Sequence, residues 1–306
     1  MRCHRAILLV IAVILLGDAA AYAVPSDSAR VDSLFIYASS GQVRFRNMVQ
    51  PAKDSLIAMG ERAAPWLARK LNATDARERL TLADLFAGIG AVAVPYITPY
   101  LDSAGDYMPK NAARCLGRIA DTSATLALIR HLDHGEYSVR SEIATALGKI
   151  GDDRAVDSLL RRLSHESDPE VRKSIVVALG SIGDPRAADA IIGSFGDPFF
   201  GVRQTAIIAV GKLSPPPTDK VATAVHATTG LARHVAIVAL GHCGTNPARA
   251  ILLNMLDSPD PMIRGFAVEG LAVNPEGLDL DMIRDHLATE SDPFVRAQLA
   301  RLESTD

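Results

Sequence analysis

The sequence predicts an all-α fold, a right-handed α-solenoid of about eight helical hairpins with capping helices. Three observations lead to this prediction. A short motif recurs along the chain, its period is close to 31 residues, and each period contains two helical stretches with one apolar face. A fixed period of this size is typical of stacked repeats. Because each repeat packs only on its neighbours, the length of 306 residues does not set a number of domains.

The motif consists of an acidic residue, Pro, any residue, Val or Ile, and Arg, followed by an Ala/Leu-rich stretch that ends in Gly. It occurs at residues 168–172, 260–264 and 292–296. Asp168 can cap a helix at its N-terminus, and Pro169 suits the first helical position. Apolar residues then recur on one helical face as far as Ile182, and Gly183 ends the helix. A second helix with a similar face follows.

The turn between the two helices of a hairpin recurs every 30 to 32 residues. The predicted turn positions are Gly60, Gly90, Ala120, Gly151, Gly183, Ser214, Gly244 and Pro275. They define eight hairpins, and a single helix from Pro293 to about Leu302 follows. Apolar residues between Val31 and Ala38 predict a capping helix before the first hairpin, since an open end would leave an apolar face in water.

The first residues have the composition of a secretory signal. Arg2 and Arg5 precede an apolar run of eleven residues, 6–16, and Ala21-Tyr22-Ala23 fits a cleavage site. Eleven apolar residues are too few to span a bilayer. We therefore expect a signal peptide at 1–23, an N-terminal cap at 24–50 and the solenoid at 51–306. The mature chain would have no membrane span and would be periplasmic or secreted; an uncleaved membrane anchor is the alternative.

Composition narrows the classes of partner and the chemistry of the core. A net charge of −3 argues against nucleic acid, which selects strongly basic faces. Removal of the signal would leave Cys115 and Cys243, about four hairpins apart and too distant for the Cα separation of a disulfide. Both lie on apolar helical stretches. We expect buried, unreactive thiols.

The motif, the turn sequence Ala-Leu-Gly-x-Ile-Gly-Asp at 146–152 and 178–184, and the period resemble HEAT-like repeats of the phycobilisome-lyase type. The resemblance covers about residues 51–302. Two enzyme families share the implied fold. Bilin lyases act inside the cell, whereas we expect this chain to be exported. Deoxyhypusine hydroxylase holds two irons with paired His-Glu motifs, but the matching positions here read Arg140-Ser141-Glu142 and Arg233-His234-Val235.

An arginine recurs at one position of the first helix in seven repeats. These residues are Arg79, Arg140, Arg172, Arg203, Arg233, Arg264 and Arg296. The resemblance implies a structural role, in which each arginine reaches acidic or carbonyl groups at the neighbouring hairpin. The planar fork of arginine suits bidentate bonds to a carboxylate. The alternative is an anionic ligand held along the column.

Other residues with catalytic or metal-binding potential form no complete set. His131, His134 and His165 come close in register, but neither a carboxylate nor a cysteine is fixed beside them by spacing. We expect exposed loop histidines, with His165-Glu166 in a loop. The sequence has no serine-nucleophile motif, phosphate-binding glycine loop or Cys/His pair. It therefore predicts no catalytic residue, no metal site and no cofactor.

Positions that break the repeat are the candidates for partner binding. On the second helices, the register of Arg161 gives a ridge of long basic or aromatic residues: Lys70, Tyr100, Arg130 and Arg161. The next equivalents are small or neutral: Gly193, Ala224 and Asn254. Such a ridge suits an acidic peptide or protein segment; the alternative is a solvated helix face. Phe199-Phe200, in a longer repeat opening, is a second candidate, and Pro215–Pro217 interrupts the turn pattern.

These observations favour a non-catalytic protein–protein interaction scaffold of a bacterial envelope or periplasm. Two alternatives stay open: an enzyme or enzyme accessory resembling the bilin lyases, and a purely structural array. The identity of the partner is not set by the sequence.

Overall fold

The computed structural model describes residues 26–105 and 107–304, which are helical and contain no β-strand. The predicted signal peptide at 1–23 lies outside these ranges. The α-helices are α1 (Asp27–Ala38), α2 (Arg46–Met59), α3 (Ala64–Ala68), α4 (Ala76–Ile89), α5 (Val94–Ile97), α6 (Tyr107–Ile119), α7 (Thr125–Arg130), α8 (Tyr137–Ile150), α9 (Val156–His165), α10 (Pro169–Ile182), α11 (Ala188–Gly193), α12 (Phe200–Gly211), α13 (Thr218–Ala227), α14 (Gly230–Cys243), α15 (Asn246–Asn254), α16 (Pro261–Leu271), α17 (Leu280–His286) and α18 (Pro293–Glu303).

Helices α2 to α17 form eight hairpins, with α1 before them and α18 after them. This order confirms the predicted all-α solenoid. The first helix of each hairpin packs on the first helix of the next from α4 onward. The predicted boundary at residues 50 and 51 falls inside α2, because Pro51 lies within that helix and not at its start. No Asp-Pro cap precedes α2; a 3₁₀ turn at Val43–Phe45 leads into it.

Helix starts follow the motif. The Asp168 carboxylate accepts hydrogen bonds from the backbone N–H groups of Glu170 at 2.9 Å and Val171 at 3.1 Å. Asp292 caps α18 in the same way. Each side chain satisfies amide groups that have no partner inside the helix, and such a cap contributes about 1 kcal/mol.

The turns inside the hairpins fall where the sequence predicts them, with two differences. Gly183 has φ +78°, and Ala120 has φ +57° as the one non-glycine with positive φ among the described residues. At Ser214 the chain turns through the three prolines without a positive φ. In the last hairpin the positive φ belongs to Gly277, two residues beyond the predicted Pro275. Pro cannot adopt this conformation, so the neighbouring Gly supplies it.

The glycine of the Ala-Leu-Gly sequence permits close packing between first helices. A Cβ placed on Gly148 would lie 2.7 Å from the Cα of Ala178 on the next first helix. Gly117 meets Ala146 in the same way. The recurring helical glycine therefore sets the distance between hairpins. The predicted apolar face of α10 is fully buried from Val171 to Leu179, and Ile182 is partly buried.

Helix α1 covers the first hairpin. Val31, Phe35 and Ala38 are buried against it. Two ion pairs fix this helix to the hairpin: Arg62 Nη2 to Asp27 Oδ1 at 2.6 Å, and the Lys70 ammonium to Asp32. The predicted capping helix is confirmed in position.

Across residues 26–105 and 107–304, no single helix combines the length and apolarity needed to cross a membrane. One bent pair, Ala76–Ile89 with Ala91–Asp102, passes by length and composition, with a bend of 115°. Leu82, Leu85 and Phe86 of this pair are fully buried in the core of the array, whereas Leu80 and Val92 are exposed.

Candidate functional site

Two of the predicted ridge residues, Arg130 and Arg161, lie on second helices and are open. The other two lie just beyond theirs: Lys70 in the turn after α3, and Tyr100 in the 3₁₀ helix Thr98–Asp102 after α5. The Lys70 ammonium is paired with Asp32 and lies 5.2 Å from the Phe35 ring centroid. Tyr100 is half-buried against the core. Arg130 is exposed and makes no hydrogen bond or ion pair with any described residue.

Arg161 is the second open member of the ridge. Its side chain is 64% exposed, and its nearest carboxylate, Asp133, lies 3.9 Å away. Asp133 is held more closely by Arg162, at 3.2 Å. Arg130, at the end of α7, and Arg161, in the middle of α9, therefore present two weakly compensated positive charges.

Small residues follow the ridge and open a groove. Between α11 and α13 lies a shallow depression of about 370 Å³ with Ile192, Ala224 and Ala227 on its apolar wall. A Cβ placed on Gly193 would meet nothing within 4 Å. The Lys220 ammonium and Asp189 carboxylate pair at 2.8 Å beside it. A partner side chain therefore has room at this site. At the equivalent positions of the first four hairpins, larger side chains would fill that space.

The arginine column forms the predicted contact to the neighbouring hairpin at three positions. Arg172 donates from Nε and Nη2 to the two carboxylate oxygens of Asp197, at 2.8 and 3.0 Å. Its Nη1 donates to the Ser167 carbonyl at 2.7 Å. Arg264 donates to Glu290 at 2.7 Å. Each arginine thus ties the start of its own helix to the loop before the next hairpin.

The third contact is centred on Glu166, whose side chain is fully buried. It accepts two bonds from Arg140, at 2.8 and 2.9 Å, and two from Arg162, at 2.8 and 2.7 Å. Its Oε1 also accepts from the Asp168 amide at 2.9 Å. Burial alone would raise the pKa of Glu166, but these donors outweigh it and lower the pKa to about 2.

Sequence reasoning missed Glu166 because it treated His165-Glu166 as loop residues. His165 is the last residue of α9, and Glu166 follows as its C-terminal cap. The spacing of the repeats did contain a signal for this contact. An acidic residue stands 25 or 26 residues after Arg140, Arg172 and Arg264.

Four arginines of the column do not reach a carboxylate on the next hairpin; two of the four bond to backbone carbonyls, the other kind of acceptor that was predicted. Arg79 donates to the Thr74 carbonyl, and Arg203 donates to the carbonyls of Asp197 and Pro198, at 2.7 and 3.0 Å. Arg296 is exposed and stands on α18, after which no further hairpin follows in the described chain. In these repeats no acidic side chain occupies the position that Glu166 holds.

Arg233 is the fourth exception. Its Nε is buried and has no hydrogen-bond partner within the described ranges. A buried donor without a partner costs about 1–3 kcal/mol. The adjacent His234 ring stacks on Phe266 at 4.5 Å between centroids, and burial lowers the pKa of His234.

The three histidines in register are engaged locally. His131 bonds to the Asp102 carboxylate through Nε2 at 2.7 Å and to the Ala127 carbonyl through Nδ1 at 2.8 Å. His134 Nδ1 accepts from the Glu136 amide at 3.1 Å, and His165 is exposed. His131 is therefore less exposed than predicted, since only 17% of its side chain is accessible. Among the residues with described positions, no group of three or more His, Cys, Asp or Glu has metal-binding geometry.

The two cysteines are free and buried, which confirms the predicted state of these thiols. Burial raises the pKa of the Cys115 thiol far above its usual range and that of Cys243 to about 11. Neither thiol is a ready nucleophile, because the reactive species is the thiolate.

The Phe199-Phe200 candidate faces solvent. Phe199 is 38% exposed and Phe200 63% exposed, at the start of α12. The two phenyl rings therefore form a small exposed apolar patch.

Stacked antiparallel hairpins with a recurring arginine define an α-solenoid repeat protein. Comparison with protein families matches HEAT repeats to residues 94–178 and 160–227, which run from α5 to the end of α13. The chain therefore carries HEAT repeats, as the resemblance predicts.

Comparison with solved structures finds similar chains at low identity. The complex of CpcE and CpcF of phycocyanin lyase from Nostoc sp. PCC7120 is 19% identical, with a TM-score of 0.40, over 94% of this chain and 98% of that one. Human deoxyhypusine hydroxylase is 20% identical, with a TM-score of 0.37, over 81% of this chain and 96% of that one. No curated protein sequence matches the chain.

Proposed function

We propose that the protein is a non-catalytic scaffold that binds a protein partner along its second helices. The observation that carries this proposal is the pair of open guanidinium groups at Arg130 and Arg161. Two neighbouring cations are compensated, in the pairs Lys70–Asp32 and Arg162–Asp133. HEAT repeats supply the fold in which such surfaces are extended and continuous.

The chemistry of the surface selects an acidic segment with an apolar neighbour. Arg130 and Arg161 are the donors for carboxylates, and arginine binds them through two parallel bonds. The groove beside Ile192 and Ala224 then offers an apolar wall to the next part of the same segment. A charged contact flanked by an apolar one is the usual arrangement at protein interfaces.

The state of the reactive groups supports a role without catalysis. Both thiols are buried and protonated, and Glu166 is locked between two arginines. His131 is bonded through both ring nitrogens. These side chains stabilise the array and offer no accessible nucleophile or general base.

We also propose that the protein is exported, which rests on residues 1–23 of the sequence. Mass spectrometry of the protein from a cell-envelope fraction would test this. A mature chain that starts near Val24 is expected, and an intact Met1 in a cytoplasmic fraction would contradict export.

The binding proposal is tested by affinity capture with three purified baits: the wild type, an Arg130→Glu/Arg161→Glu variant and an Arg301→Glu control. Arg301 is exposed on α18, away from the ridge. We expect proteins that the wild type and the control retain and the double variant loses. Equal retention by all three baits, or capture by none, would overturn the proposal. Matching melting curves would show that the baits are equally folded.

A further inference from the structure

A complete arginine contact has one carboxylate in the loop before the next hairpin. That carboxylate accepts from the arginine fork and also from the backbone amide two residues further on. Asp197 accepts from the Phe199 amide at 2.8 Å, and Glu290 accepts from the Asp292 amide at 2.8 Å. The array itself therefore shows which group completes the fork: a carboxylate.

Two consecutive hairpins lack this group. Counting 25 residues from Arg203 and Arg233 gives Thr228 and Ser258, whose side chains end in hydroxyl groups. Thr228 donates back to the Ala224 carbonyl at 2.7 Å. Ser258 accepts from the Asp260 amide at 3.2 Å, as Asp197 does from Phe199, but it is too short to reach Arg233.

Arg203 and Arg233 are left with N–H groups that donate to no described side chain. Arg203 donates only through Nη1, to backbone carbonyls. The Arg233 side chain makes no hydrogen bond with any residue in the ranges 26–105 and 107–304; of its nitrogens only Nε is fully buried, so the terminal nitrogens are accessible. Arg203 reaches the carbonyl of Asp197, but the carboxylate of Asp197 is already held by both nitrogens of the Arg172 fork. Asp260 accepts from the Met262 amide at 2.9 Å.

Exposed apolar side chains border the same edge of the array. They stand at the first turns of α12, α14 and α16: Phe200 at 63% exposure, Leu231 at 53% and Met262 at 39%. Phe199 adds a further exposed ring before α12. Positive charge and apolar surface thus alternate along the edge where each hairpin connects to the next.

We propose that Arg203 and Arg233 bind two carboxylates of an extended acidic and apolar segment of a partner protein. The inference rests on the proposed function, because it gives the scaffold a second contact surface and a partner chemistry. The carboxylates of the partner replace the side chains that Asp197 and Glu290 supply elsewhere, and its apolar side chains contact Phe200, Leu231 and Met262.

The distance between the two arginines sets the spacing in the partner. Neighbouring first helices lie about 8–10 Å apart. A polyproline II segment has three residues per turn and rises about 3.1 Å per residue, so residues i and i+3 share a face about 9 Å apart. A segment with an acidic residue at every third position therefore matches the two forks.

The test uses a fluorescein-labelled peptide with four repeats of Glu-Leu-Pro, and the same peptide with Gln in place of Glu. Fluorescence anisotropy measures binding to the full-length protein. We expect the wild type to bind the Glu peptide at least about tenfold more tightly than the Gln peptide. Arg203→Met and Arg233→Met should each remove most of this preference.

Ser258→Asp gives a control that does not weaken the fold. It places a carboxylate in the register of Asp197, so it should pair with Arg233, raise the melting temperature and weaken Glu-peptide binding about tenfold. Equal affinity of the wild type for both peptides, or Glu-peptide binding unchanged by Arg233→Met and Ser258→Asp, would overturn the inference.

The Arg130→Glu/Arg161→Glu variant separates this inference from the proposed function. It should keep a preference for the Glu peptide over the Gln peptide, and Arg233→Met added to that variant should remove the preference. Loss of peptide binding in that variant would place the peptide on the ridge and refute the assignment to Arg203 and Arg233, while leaving the scaffold proposal intact.

Discussion

Replacing Glu166 by Gln tests whether the buried contact between hairpins stabilises the array. Gln keeps the size of the side chain but removes the charge that Arg140 and Arg162 share. The pKa of Glu166 is lowered from 4.5 to about 2 in the folded chain. Since a tenfold change in proton affinity equals about 1.4 kcal/mol, the carboxylate contributes about 3 kcal/mol of folding free energy. Loss of one partner from a buried ion pair costs about 3–5 kcal/mol, which agrees.

The pH dependence of this effect has a definite sign. A carboxyl group with a lowered pKa stabilises the fold fully above its ordinary value of 4.5, and this stability is lost as the pH falls through about 2. The difference between the wild type and Glu166→Gln should therefore be largest at neutral pH and should shrink between pH 4.5 and 2.

Urea unfolding followed by circular dichroism at a series of pH values measures this difference. Hydrogen exchange of α8 to α10 localises it, because a repeat array can open in parts. Glu170→Gln is the matched control, since Glu170 is exposed and pairs with Lys173. We expect this control to lower the free energy of unfolding by about 0.5 kcal/mol or less. Two results would contradict the stabilising role of this contact. One is that Glu166→Gln lowers the free energy of unfolding no more than the control does, and the other is that it lowers it equally at pH 3 and at pH 7.

Three further substitutions or reactions test the packing and the turns. Gly148→Ala should lower the free energy of unfolding in urea by about 1–3 kcal/mol, because the added Cβ would lie 2.7 Å from a backbone atom. Gly193→Ala is the control: its Cβ would enter open space, so this substitution should be neutral or stabilising. Equal effects of the two substitutions would refute the close approach of the helices at Gly148. Ala120→Gly should stabilise by up to about 1 kcal/mol, because it relieves a φ of +57°, and a lower melting temperature would contradict this. Cys115 and Cys243 should react with a thiol reagent at pH 8 only after denaturation, and rapid reaction of the native protein would show that the thiols are accessible.

Features with a local cause were predictable from the sequence. Asp168 caps a helix through amides two and three residues away, and Gly183 reverses the chain through its own φ. Both effects act within a few residues, so the motif contains them. The number of hairpins and the buried face of α10 follow from the same period.

Features that depend on a distant residue were not predictable in the same way. Glu166 meets Arg140 across 26 residues of sequence, and its burial depends on the packing of two hairpins. The pairing of Lys70 with α1, which closes one end of the predicted ridge, depends on where the capping helix docks. Arg233 Nε has no partner among the described residues because the loop before the next hairpin brings no carboxylate to it, which again depends on a residue far along the chain.

The measurement that tests the scaffold function most directly is site-specific photo-cross-linking in the cells that make the protein. A photoreactive amino acid is placed at Arg161, on the exposed second-helix surface, and in a parallel strain at Arg301, on α18. The scaffold proposal predicts a discrete cross-linked protein at Arg161 and none at Arg301. No cross-linked protein at Arg161, or the same products at both positions, would contradict it.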